Sequence, residues 1–222
     1  MTLKPKLLIF DVNETLLDLK PLARRINTTL SNNLAFDLWF SSLLHYSLVE
    51  TTTGNHEDFS KIAKATFEMT ALKFKKVVPE EETEAILGLI KKLPPHPDTS
   101  EALRRLQEQG YHLTALTNGN PTVAREQLAF AELDQYLERI FSVDETKAFK
   151  PNPKPYLFVL DQLKVKPQEA LLVAAHGWDI TGAQRAGLQT AFISRERKFK
   201  YPLAEVPTYD CKDLRELVKR LS

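Results

Sequence analysis

Short apolar runs separated by helical patterns are the main feature of the chain, and they predict a parallel β-sheet. The first run is residues 7–10, and similar runs occur at residues 111–116, 140–143, 170–175 and 190–193. Between the later runs, apolar residues recur at helical spacing. Because strands that alternate with helices form parallel sheets covered on both faces, we predict a Rossmann-like α/β core.

The region between the first two apolar runs differs, because it has helical patterns throughout and no strand pattern. It ends at the proline-rich segment 94–97, which is typical of a stiff linker. We therefore predict an all-helical cap domain at residues 18–97, inserted into a core domain formed by residues 1–17 and 98–222. The predicted cap helices lie within residues 34–48, 59–69 and 81–93.

The composition narrows the range of partners. The 222 residues include 30 Lys and Arg and 29 Asp and Glu, a net charge of +1, which gives no sign of binding to nucleic acid or to an anionic membrane. No apolar run approaches the roughly 18 to 20 residues that cross a bilayer. The single cysteine, Cys211, excludes an internal disulfide and favours a reducing compartment. We expect a cytoplasmic protein whose partner is a small molecule.

Polar residues follow the ends of the predicted strands. Since the carboxyl ends of parallel strands lie at one edge of the sheet, these residues should converge there. Asp11, one position after the first strand, is the strongest candidate for chemistry, although an aspartate there can also simply cap a turn or helix. The converging residues are Asp11, Glu14 and Thr15 after the first strand, Thr117 and Asn118 after the second, Lys150 after the third, and His176 and Asp179 after the fourth.

This ordered set of motifs resembles the haloacid dehalogenase (HAD) superfamily. The motifs of that superfamily are a nucleophilic aspartate in the pattern DxxxT, a serine or threonine after the second strand, a lysine, and a late aspartate. In this sequence those positions hold Asp11 and Thr15, Thr117, Lys150, and Asp179. The resemblance covers essentially the whole chain, including the helical cap between the first two motifs.

Within the superfamily, three features resemble the L-2-haloacid dehalogenases. Asn13 stands where the phosphatase branches carry a second aspartate that protonates the leaving alkoxide, and a halide leaves without a proton. The segment 149–151 with Tyr156 six residues after the lysine matches the dehalogenase spacing. The pair Trp178 and Asp179 lacks the extra carboxylate that usually helps to hold Mg²⁺. The resemblance thus implies a reaction without metal or cofactor.

The resemblance also implies roles for the motif residues. Asp11 would attack C2 of a 2-halocarboxylate, displace halide with inversion, and leave an aspartyl ester for water to hydrolyse. Lys150 and Thr15 would hold the ionised Asp11, and Asp179 would orient Lys150. Thr117 and the backbone of Asn118 would hold the substrate carboxylate. The predicted substrate-binding residues are Asn13, Trp39, Phe40, Tyr46, Thr117, Asn118 and Tyr156.

The cap departs from the dehalogenase pattern at the position that receives the leaving halide. The dehalogenases have an arginine there, after a Leu-Trp pair, whereas here Phe40 follows Leu38 and Trp39. The indole N–H of Trp39, the ring edge of Phe40 or the amide of Asn118 could hold a halide, more weakly than a guanidinium would. We expect this change to alter the preference for leaving group or chain length.

Two other departures add titratable groups to the same sheet edge. His176 stands where the family often has asparagine, and Glu14 replaces a small residue before Thr15. Our hypothesis is a catalytic dyad, in which His176 takes the proton of the water that attacks the Asp11 ester and Glu14 orients the imidazole. The alternative is that His176 bonds a loop carbonyl while Glu14 faces solvent.

Two other functions remain open at this point. In a Mg²⁺-dependent HAD phosphatase, Asp11 would form an aspartyl phosphate and Asp179 would hold the metal, although Asn13 argues against this. A binding protein on a retained enzyme scaffold is the other, which the missing cap arginine keeps open, although the presence of all five motif residues together argues against it. The family resemblance further implies a homodimer formed through the apolar cap helices.

Overall fold

The computed structural model describes residues 3–222, and these contain a six-stranded sheet with all neighbouring pairs parallel. Strands occur at each of the five predicted positions, so the predicted Rossmann-like core is confirmed. The sequence did not predict β6, a short strand with Asp210 at its centre. The strands, in spatial order, are β3 (Arg139–Ser142), β2 (His112–Thr117), β1 (Leu7–Phe10), β4 (Ala170–Ala174), β5 (Gln189–Ile193) and β6 (Tyr209–Cys211).

The strand β1 lies in the middle of the sheet, between β2 and β4. Its residues are all buried, as expected for a parallel strand covered on both faces. Leu7 pairs with His112 on one side and with Ala170 on the other. This register brings the residues that follow β1, β2 and β4 to the same edge of the sheet.

Helices cover both faces of the sheet. Leu8 and Phe10 pack in one cluster with residues of α5 and α9, while Leu7 and Ile9 pack in a second cluster with residues of α7 and α8. The helix α9 was not predicted, although its buried leucines give it a strongly amphipathic pattern. The core helices are α5 (Thr99–Glu108), α6 (Pro121–Phe130), α7 (Pro153–Leu163), α8 (Gly177–Arg185) and α9 (Leu214–Leu221).

The chain between β1 and β2 is helical, as predicted, but it begins with a helix that the sequence analysis missed. This helix, α1, buries Leu22, Ile26 and Leu30, which recur every four residues on one face. No part of the structure tests the domain boundaries at 17/18 and 97/98, which stay a prediction. The inserted helices are α1 (Lys20–Leu30), α2 (Ala35–Thr53), α3 (Phe59–Lys73) and α4 (Glu80–Gly88), followed by a 3₁₀ turn (Leu89–Lys92).

The inserted helices and the sheet share one apolar cluster. Phe36, Trp39 and Phe40 of α2 belong to the same buried cluster as Leu8 and Phe10 of β1. The cap side of the site is therefore fixed to the sheet by side-chain packing. Between residues 3 and 222, no helix combines the length and the apolar composition that crossing a bilayer requires.

Candidate active site

Asp11 lies directly after β1, at the sheet edge where the neighbouring strands also end. Asp11 is 5% exposed, and its two carboxylate oxygens have different partners. The Nζ of Lys150 donates to Oδ1 at 2.9 Å, and the hydroxyl of Thr15 donates to Oδ2 at 2.7 Å. Thr15 in turn accepts the backbone N–H of Ala175 at 2.9 Å, which directs its own hydrogen towards Asp11. Asp11 is thus held as a buried, oriented carboxylate.

Lys150 lies between two buried carboxylates. Its Nζ donates to Asp11, to Oδ2 of Asp179 at 2.6 Å, and to the carbonyl oxygen of Leu116 at 3.0 Å, which uses all three ammonium hydrogens. The side chains of Lys150 and Asp179 are fully buried. Within residues 3–222, no group of three or more His, Cys, Asp or Glu side chains is arranged to hold a metal ion.

Tyr156 contacts Asp179 on the side away from Lys150. Its side chain is fully buried, and its hydroxyl donates to Oδ1 of Asp179 at 2.5 Å. Its contact with substrate stays a prediction. Burial, together with the charge of Asp179, raises the pKa of Tyr156 well above its ordinary value, so the hydroxyl stays a hydrogen-bond donor.

The charges around Lys150 keep Asp11 ionised. Burial alone would raise the pKa of Asp11, but the ammonium of Lys150 and the hydrogen bond from His176 hold it well below its ordinary value. Burial would also lower the pKa of Lys150, and Asp11 and Asp179 reverse this, so that it is raised. Burial raises the pKa of Asp179 against the opposing effect of Lys150. The result is an anionic Asp11 in a nearly dry site, as a nucleophile requires.

His176, on the other side of Asp11, also lies between two carboxylates. Its Nδ1 is 3.1 Å from Oδ2 of Asp11, and its Nε2 is 2.9 Å from Oε2 of Glu14. Burial would lower the pKa of His176, but the hydrogen bonds and charges of both carboxylates raise it to about 9. Both ring nitrogens therefore act as donors, and His176 is an imidazolium at neutral pH. The structure brings the predicted dyad together, while its catalytic role stays a prediction.

Glu14 reaches His176 from a strained turn. Its φ of 62° lies in the left-handed region, which a non-glycine residue rarely adopts. The turn is held from outside: His96 Nε2 lies 3.2 Å from the carbonyl oxygen of Glu14, and Arg195 donates to the carbonyl oxygen of Thr15 at 2.9 Å. Arg195 also pairs with Asp98 at 2.8 Å. These contacts fix the position of the Glu14 carboxylate.

Lys198 is a site residue that the sequence analysis missed. Its Nζ is 2.5 Å from Oε2 of Glu14 and 5.9 Å from the ring centroid of Phe40. It belongs to the charged run Arg195 to Lys200, directly after β5. The position of this run after the end of a parallel strand was a usable signal, but five of its six residues are charged, and no pattern distinguishes one of them.

Phe40 occupies the cap side of the site and packs on His176. The two rings are 6.1 Å apart with an interplanar angle of 25°. Each of these two rings stacks with a further ring. Phe36 stacks with Phe40 at 5.7 Å, and Trp178 stacks with His176 at 5.2 Å. Four roughly parallel rings, including the imidazole of His176, thus run from α2 into α8.

Two predicted cap residues have other partners within the protein. The indole N–H of Trp39 donates to the carbonyl oxygen of Ala63 at 3.0 Å. Tyr46 is exposed and packs edge-on against His45, with the ring centroids 5.4 Å apart. A contact of either residue with halide or substrate stays a prediction.

The remaining predicted binding residues lie close to the catalytic groups. The hydroxyl oxygen of Thr117 accepts a backbone N–H two residues further on at 3.1 Å, which leaves its hydrogen to donate. Asn118 accepts the backbone N–H of Lys150 at 2.9 Å and so ties two motifs together. The side-chain oxygen of Asn13 accepts an N–H of Gln127 at 3.0 Å, so that this oxygen is already engaged.

Two cavities adjoin the site. One has a volume of about 680 Å³ and is lined by Glu14, Phe40 and Lys198, among others. The second has a volume of about 510 Å³ and is lined by His176, Trp178 and again Lys198. Each is large enough for a small organic acid.

Comparisons with known proteins agree with this geometry. A family model described as haloacid dehalogenase-like hydrolase matches residues 5–187. The (S)-2-haloacid dehalogenase 4A of Burkholderia cepacia is 28% identical over 216 residues, which cover 96% of this chain and 90% of that protein. The (S)-2-haloacid dehalogenase 1 of a Pseudomonas species is 32% identical over 161 residues, or 72% and 71% of the two chains. A solved dehalogenase with an intermediate complex has a TM-score of 0.91 at 26% identity, with 99% of this chain and 98% of that chain covered. The chain belongs to the haloacid dehalogenase-like hydrolase family.

Proposed function

We propose that the protein hydrolyses short 2-haloalkanoic acids to 2-hydroxy acids and halide through an ester on Asp11. The observation that carries this proposal is the buried, ionised Asp11 carboxylate, paired with Lys150 at 2.9 Å while an amide, Asn13, occupies the place of a second acid. The names of the related proteins, (S)-2-haloacid dehalogenases, support the substrate class. A leaving halide needs no proton, so the amide at Asn13 is compatible with this reaction.

In the first step, an oxygen of Asp11 attacks C2 of the substrate. Oδ1 accepts one hydrogen bond, from Lys150, whereas Oδ2 accepts from both Thr15 and His176, so Oδ1 is the less engaged oxygen. A bond forms between Oδ1 and C2, and the halide leaves with the electrons of the carbon–halogen bond. Oδ2 then becomes the carbonyl oxygen of the ester, with the Thr15 hydroxyl still donating to it.

Formation of the ester changes the charge balance at His176. The ester removes the negative charge of Asp11, one of the two carboxylates that raise the pKa of His176 to about 9. With only Glu14 left, that pKa falls and His176 releases a proton to solvent. His176 then becomes a neutral base beside the ester, held in place by Glu14.

In the second step, His176 takes a proton from water as the water oxygen bonds to Cγ of Asp11. The bond between Cγ and the ester oxygen breaks, and the leaving alkoxide takes the proton from His176 to give the 2-hydroxy acid. The proton left on the Asp11 carboxyl group passes to His176, and the starting charges are restored. Over the whole cycle, one water is consumed and one halide and one proton are released.

The substrate carboxylate is held by Thr117 and Asn118 in this proposal. Both are buried at the end of β2, and the Thr117 hydroxyl can donate a hydrogen bond to an anion. Phe40 provides an apolar wall opposite His176, which suits the carbon and halogen atoms rather than a charged group.

The proposal is tested by halide release from chloro-, bromo- and iodoacetate and from both enantiomers of 2-bromopropionate, with a metal chelator present. We expect halide release that survives the chelator and is lost in Asp11→Asn. An aryl phosphate with Mg²⁺ is assayed in parallel. Phosphate release that requires Mg²⁺, without halide release, would replace this proposal with the phosphatase alternative.

We also propose a cytoplasmic homodimer with residues 18–97 as the cap domain. The inserted region leaves apolar side chains exposed, among them Leu48 on α2, Leu72 on α3 and Val77 in the loop before α4, and a second copy of the chain could cover them. Sedimentation equilibrium should give a mass of two chains, and Leu72→Glu should reduce it to one. A single-chain mass for the unmodified protein would contradict the dimer.

A further inference from the structure

Lys198 is held in a defined position beside the catalytic groups, although it comes from a loop. This loop follows β5 and precedes β6. The Lys198 side chain is only 20% exposed, and its ammonium group contacts Glu14 at 2.5 Å and lies over the Phe40 ring. In this position the lysine side chain loses much of its rotational freedom, and the contacts with Glu14 and Phe40 must offset that loss.

Lys198 and His176 bind the same atom of Glu14. Oε2 of Glu14 is 2.5 Å from Nζ of Lys198 and 2.9 Å from Nε2 of His176. Two cationic groups therefore share one carboxylate oxygen and repel each other across it. Lys198 therefore weakens the hold of Glu14 on the proton of His176, which makes it easier for His176 to lose that proton.

The charged groups that face His176 come from several elements. Asp11 and Glu14, both in the turn after β1, contact its two ring nitrogens. Each of these carboxylates also contacts a lysine: Glu14 contacts Lys198, and Asp11 contacts Lys150. The rings that pack on the two faces of the imidazole, Phe40 and Trp178, are uncharged. Of the two lysines, Lys150 is fully enclosed, whereas Lys198 can be replaced without leaving an unpaired charge in a sealed core.

We propose that Lys198 is a positioning residue that acts on His176 through Glu14: it binds the Oε2 that His176 also binds, and so sets the pH range in which His176 can accept a proton during ester hydrolysis. This inference rests on the proposed function for its catalytic part, but its electrostatic part concerns the resting enzyme alone. The two parts are therefore measured separately.

The first experiment is an NMR titration of ¹⁵N-histidine-labelled protein without substrate, for the wild type, Lys198→Met and Lys198→Arg. The His176 signals are assigned by their absence in His176→Asn. Loss of the ammonium should raise the titration midpoint of His176 by roughly one pH unit, because Oε2 of Glu14 then has His176 as its sole cationic partner among residues 3–222. Lys198→Arg should keep the wild-type midpoint. Lys200→Met is the matched control, because Lys200 lies in the same loop but pairs with Asp210.

A midpoint that stays unchanged or falls in Lys198→Met would overturn the proposal, whether or not the protein has dehalogenase activity. In Glu14→Gln the shared carboxylate is missing, so adding Lys198→Met should then change the midpoint much less than it does in the wild type. An equal change in both backgrounds would show that Lys198 does not act through Glu14, and would also overturn the proposal.

The second experiment measures halide release against pH for the same variants. If His176 is the base, the acidic limb of the kcat profile should move to higher pH in Lys198→Met, with KM nearly unchanged and with recovery in Lys198→Arg. A rise in KM with an unmoved kcat profile would show that Lys198 binds the substrate directly, and would overturn the positioning role. If the midpoint moves in the NMR titration but no variant releases halide, the proposed function fails while the electrostatic role of Lys198 stands.

Discussion

Two cationic side chains flank Asp11, and each lies between a pair of carboxylates. Lys150 lies between Asp11 and Asp179, and His176 lies between Asp11 and Glu14. On the lysine side, the side chains of Lys150 and Asp179 are fully buried, and Asp11 and Asp179 raise the pKa of Lys150, so that it stays charged at neutral pH. The histidine side can lose its charge near neutral pH once Asp11 is neutralised. The first arrangement suits a permanent partner of the nucleophile, and the second suits a proton acceptor.

The largest effect should come from breaking the lysine side. Lys150→Met would leave Asp11 and Asp179 buried without their shared cation, and we expect a loss of about 3–5 kcal/mol in the free energy of unfolding. Urea denaturation followed by circular dichroism measures this. Lys154→Met, at an exposed position a few residues further on, serves as the control and should change stability little. A Lys150→Met protein as stable as the control would show that the two carboxylates are not charged together in the folded state.

Breaking the histidine side should separate the two chemical steps. In His176→Asn the nucleophile remains, so the ester should form while its hydrolysis slows by roughly 10² to 10⁴-fold, the usual contribution of a general base. Mass spectrometry of the intact protein after mixing with 2-bromopropionate should then show an added carboxyalkyl group. His112→Asn is the matched control, because His112 is exposed and pairs with Glu138 at the opposite end of β2. Turnover equal to the control would rule out His176 as the base.

The sequence predicted the lysine side better than the histidine side, for a physical reason. Asp11 directly follows the buried strand β1, and the parallel register leaves little freedom in where it lies. Lys150 comes eight residues after β3 and was predicted from the family motif. Glu14 also follows β1, but its contact with His176 depends on a left-handed turn, which the sequence does not indicate without a glycine. The proximity of Glu14 to His176 was therefore a hypothesis, and the structure supplied the 2.9 Å contact.

The sequence pattern did not predict contacts that depend on an irregular loop or on the orientation of a side chain. Lys198 reaches Glu14 from an irregular loop with no periodic pattern, so nothing in its spacing marked it. The sequence also did not indicate that the polar atom of Tyr156 donates to Asp179 and that of Trp39 to a backbone carbonyl. Periodicity predicts which residues are buried, but it does not predict which neighbour a buried donor binds.

The pH dependence of stability should also distinguish the two sides. The pKa of His176 is raised from 6.5 to about 9 in the folded state, so protonation of His176 stabilises the fold. This contribution is fully present below pH 6.5 and is lost as the pH rises through about 9. The total is roughly 3 kcal/mol, at 1.4 kcal/mol for each unit of pKa difference. Urea denaturation between pH 6 and 10 should show this decline in the wild type and a smaller one in His176→Asn. Parallel curves for the two proteins would contradict a raised pKa.

The smallest predicted effect concerns the cap position that faces the histidine side. In Phe40→Arg a guanidinium replaces a ring that stacks on His176, and it adds a positive charge close to Lys198. This like charge should lower the titration midpoint of His176 by roughly one unit and move the acidic limb of the kcat profile to lower pH. Phe40→Leu removes the ring without adding charge, so it separates the loss of stacking from the effect of charge. Equal pH profiles for Phe40→Arg and Phe40→Leu would mean that the guanidinium turns away from the site. A lower midpoint in Phe40→Arg alone would instead show that the uncharged cap residue helps to keep His176 protonated until the ester forms.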